Sequence, residues 1–408
     1  MATLAPNSKD IVSTITAGSQ ALMDLENQHT SGVYTKRPVV IVRGSGAHLW
    51  DADGKEYIDC VGGHGAANIG HANPAIAKAI SEQAQVIISC PEMFYNDRRT
   101  ALLEKLTSLT GMPRAFLCNS GTESVEAAFK FARLLTGRTE IVATMRGFHG
   151  RTFGALSATW EKKYRTPFEP LVPGFSHVPY NDLEALSKVV TDKTAAVILE
   201  IVQGEGGVNP GSADYLRGAQ QLCRDHNALL IIDEVQTGFG RTGKMFAFQH
   251  YNLEPDFLCV AKSIAGGLPM GATLLGPRLP ALPSQVHGST FGGNPLVCAA
   301  ALASLDFIEK NQLPEHAAEL GPWFMAQLTQ IKSPLVREVR GLGLIVGIEL
   351  KQKVTPYLQA LMNKGVMALP AGLTVMRFLP PLIITRQDLS QVVEVVQSVL
   401  SAPLREEA

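Results

Sequence analysis

The chain has 408 residues, 46% of them apolar, with 36 basic and 37 acidic side chains for a net charge of −1. That length suggests two or three domains with sizeable cores, and that apolar share belongs to a globular chain rather than a disordered one. Balanced charge gives no footprint for nucleic acid or an anionic membrane, and no apolar run reaches the ~18 residues of a membrane span, so neither partner is expected. The start, Met1 to Lys9, lacks the basic-then-apolar order of a secretory signal. The six cysteines, at 60, 90, 118, 223, 259 and 298, form no Cys-x-x-Cys. They read as small buried residues of a reducing cytoplasm, not as disulfides or metal ligands. Residues 10–30 read as a polar helix. Short strands follow at 39–42, 47–50 and 57–60, with Asp51-Ala52-Asp53-Gly54 as the turn between the last two.

From about residue 100 the pattern changes. Strands at 115–118, 140–144, 195–200, 228–233, 257–261 and 272–276 alternate with helices at 121–136, 182–190, 213–226 and 294–310. That alternation predicts an α/β fold, a mostly parallel, doubly wound central sheet with helices on both faces. A helix at 314–332, strands at 336–340 and 344–350, and an amphipathic helix at 386–401 close the chain. Both ends have α+β character and are expected to pack as one small domain. The expected division is an N-terminal segment 1–61, a large domain 62–310 and a C-terminal part 311–408.

Two strands end in groups that carry chemistry. Leu229-Leu230-Ile231-Ile232 runs into Asp233, and Phe257-Leu258-Cys259-Val260-Ala261 runs into Lys262. In a parallel sheet these ends share the edge where open α/β sheets bind ligands. A desolvated lysine loses its proton more readily and can hold an aldehyde as a Schiff base. Taken alone, Lys262 also reads as a surface lysine at a strand end. Ser120-Gly121-Thr122 opens the helix 121–136 directly after a strand, which suits either a phosphate cup or simple N-capping. Phe148, in Gly147-Phe148-His149-Gly150-Arg151, suits stacking on a planar cofactor. Arg151 suits a bidentate grip on a carboxylate, or is an ordinary solvated loop arginine. His149 reads as a hydrogen-bonder of that loop rather than a general base.

Gly238-Phe239-Gly240-Arg241-Thr242-Gly243-Lys244 fits both G-x-G-x-x-G and G-x-x-x-x-G-K. Met245 stands where a phosphate-binding loop needs Ser or Thr, and no long helix opens after it. A turn-rich loop at the sheet edge is the better reading. There is no Gly-x-Ser-x-Gly and no zinc-binding His-Glu-x-x-His.

Taken together, these segments resemble the class III aminotransferases, which are fold type I enzymes dependent on pyridoxal 5'-phosphate (PLP). The match runs from Gly32-Val33-Tyr34 to about residue 400, and its most specific stretch is Leu230 to Gly243 with Lys262 following. The resemblance implies that Lys262 binds the cofactor aldehyde and that Asp233 pairs with the ring nitrogen. It implies that Phe148 and Val235 flank the ring, with His149 beside them and Gln236 near the ring hydroxyl. Ser120, Gly121 and Thr122 would hold the phosphate, and Thr290 would reach the phosphate of the neighbouring subunit. A homodimer with shared active sites follows.

On the substrate side the resemblance implies Tyr34, His64, Arg151, Glu205 and Arg377. Glu205 and Arg377 resemble the family's switch: the pair is closed when an ω-amine is bound and open when glutamate or 2-oxoglutarate is bound. The subgroup resembled serves arginine and lysine biosynthesis, with a free or acylated amino donor or one tethered to a small acidic carrier protein. Ornithine, succinylornithine and 4-aminobutyrate aminotransferases, an aminomutase, and a non-catalytic PLP-fold binding protein are the alternatives. A carrier would need a basic rim, for which Arg98, Arg99, Lys162, Lys163 and Arg165 are candidates, though their ordinary reading is solvated surface. The chain departs from the family at Ile201 (commonly proline), at Ser124-Val125 (commonly Ala-Asn) and at His64, where tyrosine or an aliphatic residue is usual.

Overall fold

The computed structural model describes residues 18–401. Residues 10–17 of the first expected helix, the Met1–Lys9 start and residues 402–408 lie outside the described residues. Helix Ser19–His29 is followed by a meander of β1 (Ile41–Ser45), β2 (His48–Asp51) and β3 (Glu56–Asp59). The first strand thus begins two residues later than its apolar run, leaving Val39 and Val40 outside it. Two further helices, Pro74–Ala84 and Asp97–Thr110, precede the central sheet. They escaped the reading of apolar periodicity, although Asn73 before Pro74, and Asn96, cap them as side-chain acceptors.

The central sheet has seven strands: β4 (Arg114–Cys118), β5 (Glu140–Thr144), β6 (Phe175–Val178), β7 (Thr194–Glu200), β10 (Leu229–Asp233), β11 (Phe257–Val260) and β12 (Gly271–Leu275). A two-stranded ribbon, β8 (Val202–Gln203) with β9 (Asn209–Pro210), lies between β7 and β10 in sequence. The order in the large sheet is β4-β12-β11-β10-β7-β5-β6. Only β12 runs against its neighbours. Every residue of β7 and β10 is buried, which explains their unbroken apolar runs. Their side chains alternate between two cores: Val197, Leu199, Leu230 and Ile232 join one, and Ala196, Ile198, Leu229 and Ile231 the other. Helix Gly121–Thr136 covers the second core with Val125, Ala128, Phe129 and Ala132.

After helices Pro295–Lys310 and Leu313–Thr329 the chain makes β13 (Val336–Leu342), β14 (Ile345–Leu350), β15 (Val366–Met367), β16 (Leu369–Ala371) and β17 (Val375–Phe378), and ends with helix Arg386–Leu400. Four of these strands form an antiparallel sheet, β13-β14-β17-β16. The fifth, β15, pairs in parallel with β3, Val366 opposite Ile58 and Met367 opposite Asp59. The two ends of the chain therefore share a sheet. No helix among the described residues is long and apolar enough to cross a membrane.

Candidate active site

The parallel strands place their carboxyl ends on one edge. In register, Asp233 lies beside Glu200 on one side and Cys259 on the other. A cavity of about 430 Å³ opens there, lined among others by Ser120, Gly121, Thr122, Phe148, His149, Arg151, Glu205, Asp233, Val235, Gln236 and Lys262. Side chains as far apart in sequence as Ser120 and Lys262 thus meet because the sheet gathers its strand ends.

Lys262 follows β11 in a left-handed backbone conformation, φ 46°. Burial is the main force lowering its pKa, and Arg377 adds to it, while Glu205, Asp233 and Glu200 oppose. The ammonium is thereby brought closer to the free amine that a carbonyl needs. The reading of Lys262 as an exposed surface lysine does not fit this position. Asp233 is 5% exposed. Its Oδ1 accepts from the Val235 N–H at 3.0 Å, and its Oδ2 lies 2.7 Å from His149 Nδ1. His149 is the loop hydrogen-bonder expected, and it reaches Asp233. Its Nε2 is buried with no partner.

At the other side of the cavity, Ser120 Oγ accepts from the Glu123 N–H and caps the helix. The N–H groups of Gly121 and Thr122 find no acceptor among the described residues. Ser120 therefore caps the helix, and two backbone donors beside the cavity are left without a partner among the described residues, as an anion cup would need. A Cβ on Gly121 would stand 2.6 Å from Val235 Cγ1, so the backbone of the cup is pressed against the wall that carries Val235.

Glu205 Oε1 and Arg377 Nη1 form an ion pair of 2.7 Å. Burial pushes the Glu205 pKa up, but Arg377 outweighs it and the net shift is downward. Arg377 reaches the pair from β17, outside the cavity lining, and is 1% exposed. Arg151 is exposed at the cavity rim, its guanidinium 3.4 Å over the ring of Tyr164. His64 sits in a run of left-handed residues, Gly62 to Gly65, exposed and off the lining. It still feels Glu205, Arg377 and Lys262, and desolvation is the first cause of its lowered pKa. Tyr34 is 78% exposed and does not line the cavity. Thr290 is also exposed and off the lining, although neighbouring Ser289 Oγ accepts from Asn119 Nδ2 at 2.9 Å beside the cup.

Asn119 and Glu200 line the cavity without having been singled out from the sequence. Glu200 carries the same signal as Asp233, a carboxylate closing an apolar strand. Burial pushes its pKa up to about 7, His149 and two backbone N–H donors pull it down, and Asp233 pushes it up. The Gly238–Lys244 loop takes no part. Its Arg241 is fully buried and donates to Leu344 O, Pro380 O and Asn68 Oδ1.

The sheet thus brings a lysine and a carboxylate from two strand ends to one cavity. Residues 30–400 match the Aminotransferase class-III family, and the chain belongs to it. The chain is 49% identical to LysW-aminoadipate semialdehyde transaminase of Deinococcus radiodurans, over 92% of this chain and 89% of that protein. It is 43% identical to an acetylornithine aminotransferase of Methanocaldococcus jannaschii, over 93% and 98%. Among solved structures, the ornithine aminotransferase of Toxoplasma gondii superposes with a TM-score of 0.93 at 31% identity, covering 97% of each chain. The acetylornithine aminotransferase of Elizabethkingia anophelis gives 0.83 at 34%, covering 94% and 99%. These neighbours carry the fold type I architecture, so the chain is a fold type I transaminase of a family that depends on PLP.

Proposed function

We propose that this chain transfers an amino group between an ornithine- or lysine-type ω-amine and 2-oxoglutarate, using PLP held in the 430 Å³ cavity. The observation that carries the reading is the convergence of Lys262, Asp233 and the two free N–H groups of Gly121 and Thr122 on that one space. An aldehyde, a ring nitrogen and a phosphate ask for those three partners, so the residues fit the cofactor. When bound, PLP supplies an electron sink for the carbanion left when a substrate proton departs.

The residues divide the remaining work. Ser120, Gly121 and Thr122 bind the phosphate with a hydroxyl and backbone donors. Phe148 and Val235 confine the ring, and Gln236 faces its edge. Asp233, oriented by His149, keeps a proton on the ring nitrogen. Lys262, its pKa lowered, is the base that moves the proton at the substrate carbon bearing the amine. Glu205 closes on Arg377 when the substrate end beside them is uncharged, and Arg377 opens for the α-carboxylate of glutamate, with Arg151 meeting the far carboxylate. His64 and Tyr34 complete the substrate side, and Thr290 the partner's phosphate site.

The amino donor is acylated or carrier-linked, in lysine or arginine biosynthesis. The relatives named above support this, and one observation favours a carrier. Arg99 drops out of the expected basic rim because its guanidinium is buried on the carbonyls of Gly293, Phe94 and Cys90. Arg98 lies beside Asp97 on helix Asp97–Thr110, 3.6 Å from its carboxylate, while Lys162, Lys163 and Arg165 share one short helix packed beside Arg151 through Tyr164, none of them paired with an acid among the described residues. That puts three cations on the helix next to Arg151, suited to an acidic carrier. A homodimer is supported by an exposed apolar stretch, Val86, Ile88, Met93, Phe94 and Tyr95, with Phe291. The division at residues 61 and 310 is supported by the shared β3–β15 sheet. A cytoplasmic setting is supported by six free cysteines, all but Cys90 buried.

The test is a donor panel with 2-oxoglutarate: acetylornithine, ornithine, succinylornithine, 4-aminobutyrate and carrier-linked lysine. Glutamate alone should convert the holoenzyme to its pyridoxamine form, and Lys262→Ala should abolish this. An unchanged wild-type spectrum with glutamate overturns the reading. Replacing Lys162, Lys163 and Arg165 by Ala should weaken use of the carrier-linked donor and spare the free ones; equal effects on both remove the carrier.

A further inference from the structure

Arg377 has only donors to offer, and its Nη1 donates to two oxygens: Glu205 Oε1 at 2.7 Å and Gln236 Oε1 at 3.1 Å. The second contact fixes something an amide usually leaves open. Arginine cannot accept, so the Gln236 atom facing it is the carbonyl oxygen and the NH2 group is turned away. That NH2 finds no acceptor among the described residues and is not sealed off, and Gln236 lines the cavity. Gly204 holds the amide from behind: a Cβ there would collide with Gln236 Oε1, and the Gly204 N–H is tied to Glu200 Oε2 at 3.2 Å.

We propose that Gln236 is a positioning residue that couples the Glu205–Arg377 pair to the cavity wall. While the pair is closed, the amide is held with its NH2 toward the cofactor ring. When Arg377 turns to a substrate carboxylate, its Nη1 leaves the amide and that orientation is released. The two half-reactions then run with differently held donors at the ring edge. The inference rests on the amino-transfer reading above, in which Arg377 serves two substrates in turn.

Two substitutions push the arginine in opposite directions. Gln236→Glu puts a second carboxylate beside Arg377 and holds it closed. Gln236→Leu removes an acceptor from the closed state and makes opening easier. Glutarate, an inert dicarboxylate, is titrated into holoenzyme of equal cofactor content and followed by cofactor absorbance. Gln236→Glu should raise its apparent Kd by about tenfold, and Gln236→Leu should lower it by about threefold, as expected for losing or gaining a bond to a charged group. In turnover, Gln236→Glu should raise the KM for glutamate far more than the KM for the ω-amine. Shifts in the same direction for both variants, or none beyond about twofold, overturn the coupling. If wild-type holoenzyme does not respond to glutamate at all, the amino-transfer reading has failed and the coupling falls with it, a result visible before any variant is made.

Discussion

His149 Nδ1 lies 2.7 Å from Asp233 Oδ2, and both side chains are closed to solvent. A buried carboxylate is costly unless hydrogen-bonded, and here the imidazole and the Val235 N–H supply the bonds. Burial opposes a charge on His149, but the bond to Asp233, its charge and that of Glu200 outweigh burial and raise the pKa above its ordinary value.

The pair predicts a pH-dependent stability. A raised histidine pKa contributes stability that is fully present below the unfolded value and lost as pH rises through the folded one. His149→Ala should destabilise the apoenzyme at pH 6 by about 1–3 kcal/mol, the cost of leaving a buried partner unpaired. Urea midpoints of the two proteins should draw together as pH rises above the folded pKa. A gap that stays constant from acid to alkaline pH would mean the imidazole is never charged there.

Glu200 gives a second pH effect, coupled to the first through its charge on His149. Its carboxyl faces His149 and Asp233, and its pKa rises from 4.5 to about 7 with burial as the largest cause. Between those values the unfolded chain has released a proton that the folded one keeps, so stability falls as pH rises from 4.5 to about 7 and then levels. Gln in place of Glu200 should remove that slope whatever it does to absolute stability, and the measurement is apoenzyme unfolding by urea from pH 4.5 to 8. A variant with the wild-type slope places the titrating group elsewhere.

Much of this site was legible in the sequence for a simple reason. Lys262, Asp233 and the Ser120–Thr122 turn each follow an apolar strand, and a parallel sheet brings all such ends to one edge. Glu200 followed the same rule and was passed over. Pairings across the tertiary structure left no local trace: Glu205 and Arg377 came together in the sequence only through the family resemblance, and nothing near Gln236 announces its contact with Arg377. The two-residue strand β15 is too short for periodicity to reveal, so its pairing with β3 needed coordinates. Tyr34 and Thr290 stand off the cavity of their own chain, so nothing in the packing around them marks them as site residues.

Arg241 turns a misleading motif into a structural prediction. It is sealed among carbonyl oxygens of Leu344 and Pro380 and the Asn68 side chain, binding the central loop to both ends of the chain. Lysine cannot span three acceptors set out for a planar fork. Arg241→Lys should therefore lower stability by about 3 kcal/mol, in the range for disrupting a buried charged network. Magnesium and a nucleoside triphosphate should leave the thermal midpoint of the wild type unmoved. A nucleotide-dependent rise in that midpoint would restore the phosphate-loop reading of residues 238–244.

Gly121 offers the sharpest test of the anion cup. Its missing Cβ is what lets the cup press on Val235, since an added methyl would meet Cγ1 at 2.6 Å and Cγ2 at 2.8 Å. Gly121 takes no left-handed conformation, so alanine is not excluded by backbone strain, and helix propensity even favours it. Steric pressure alone should then decide the outcome. Gly121→Ala should displace either the cup or Val235 and weaken PLP retention by about tenfold or more, in line with the ~1–3 kcal/mol typical of overpacking. Val235→Ala in the same chain removes the two methyl groups and should recover most of that loss. Equilibrium dialysis of PLP against the single and double variants measures both steps. Recovery would tie the loss to contact between cup and wall; a double variant as weak as Gly121→Ala would mean that the glycine serves the phosphate site in some way other than by yielding space to Val235.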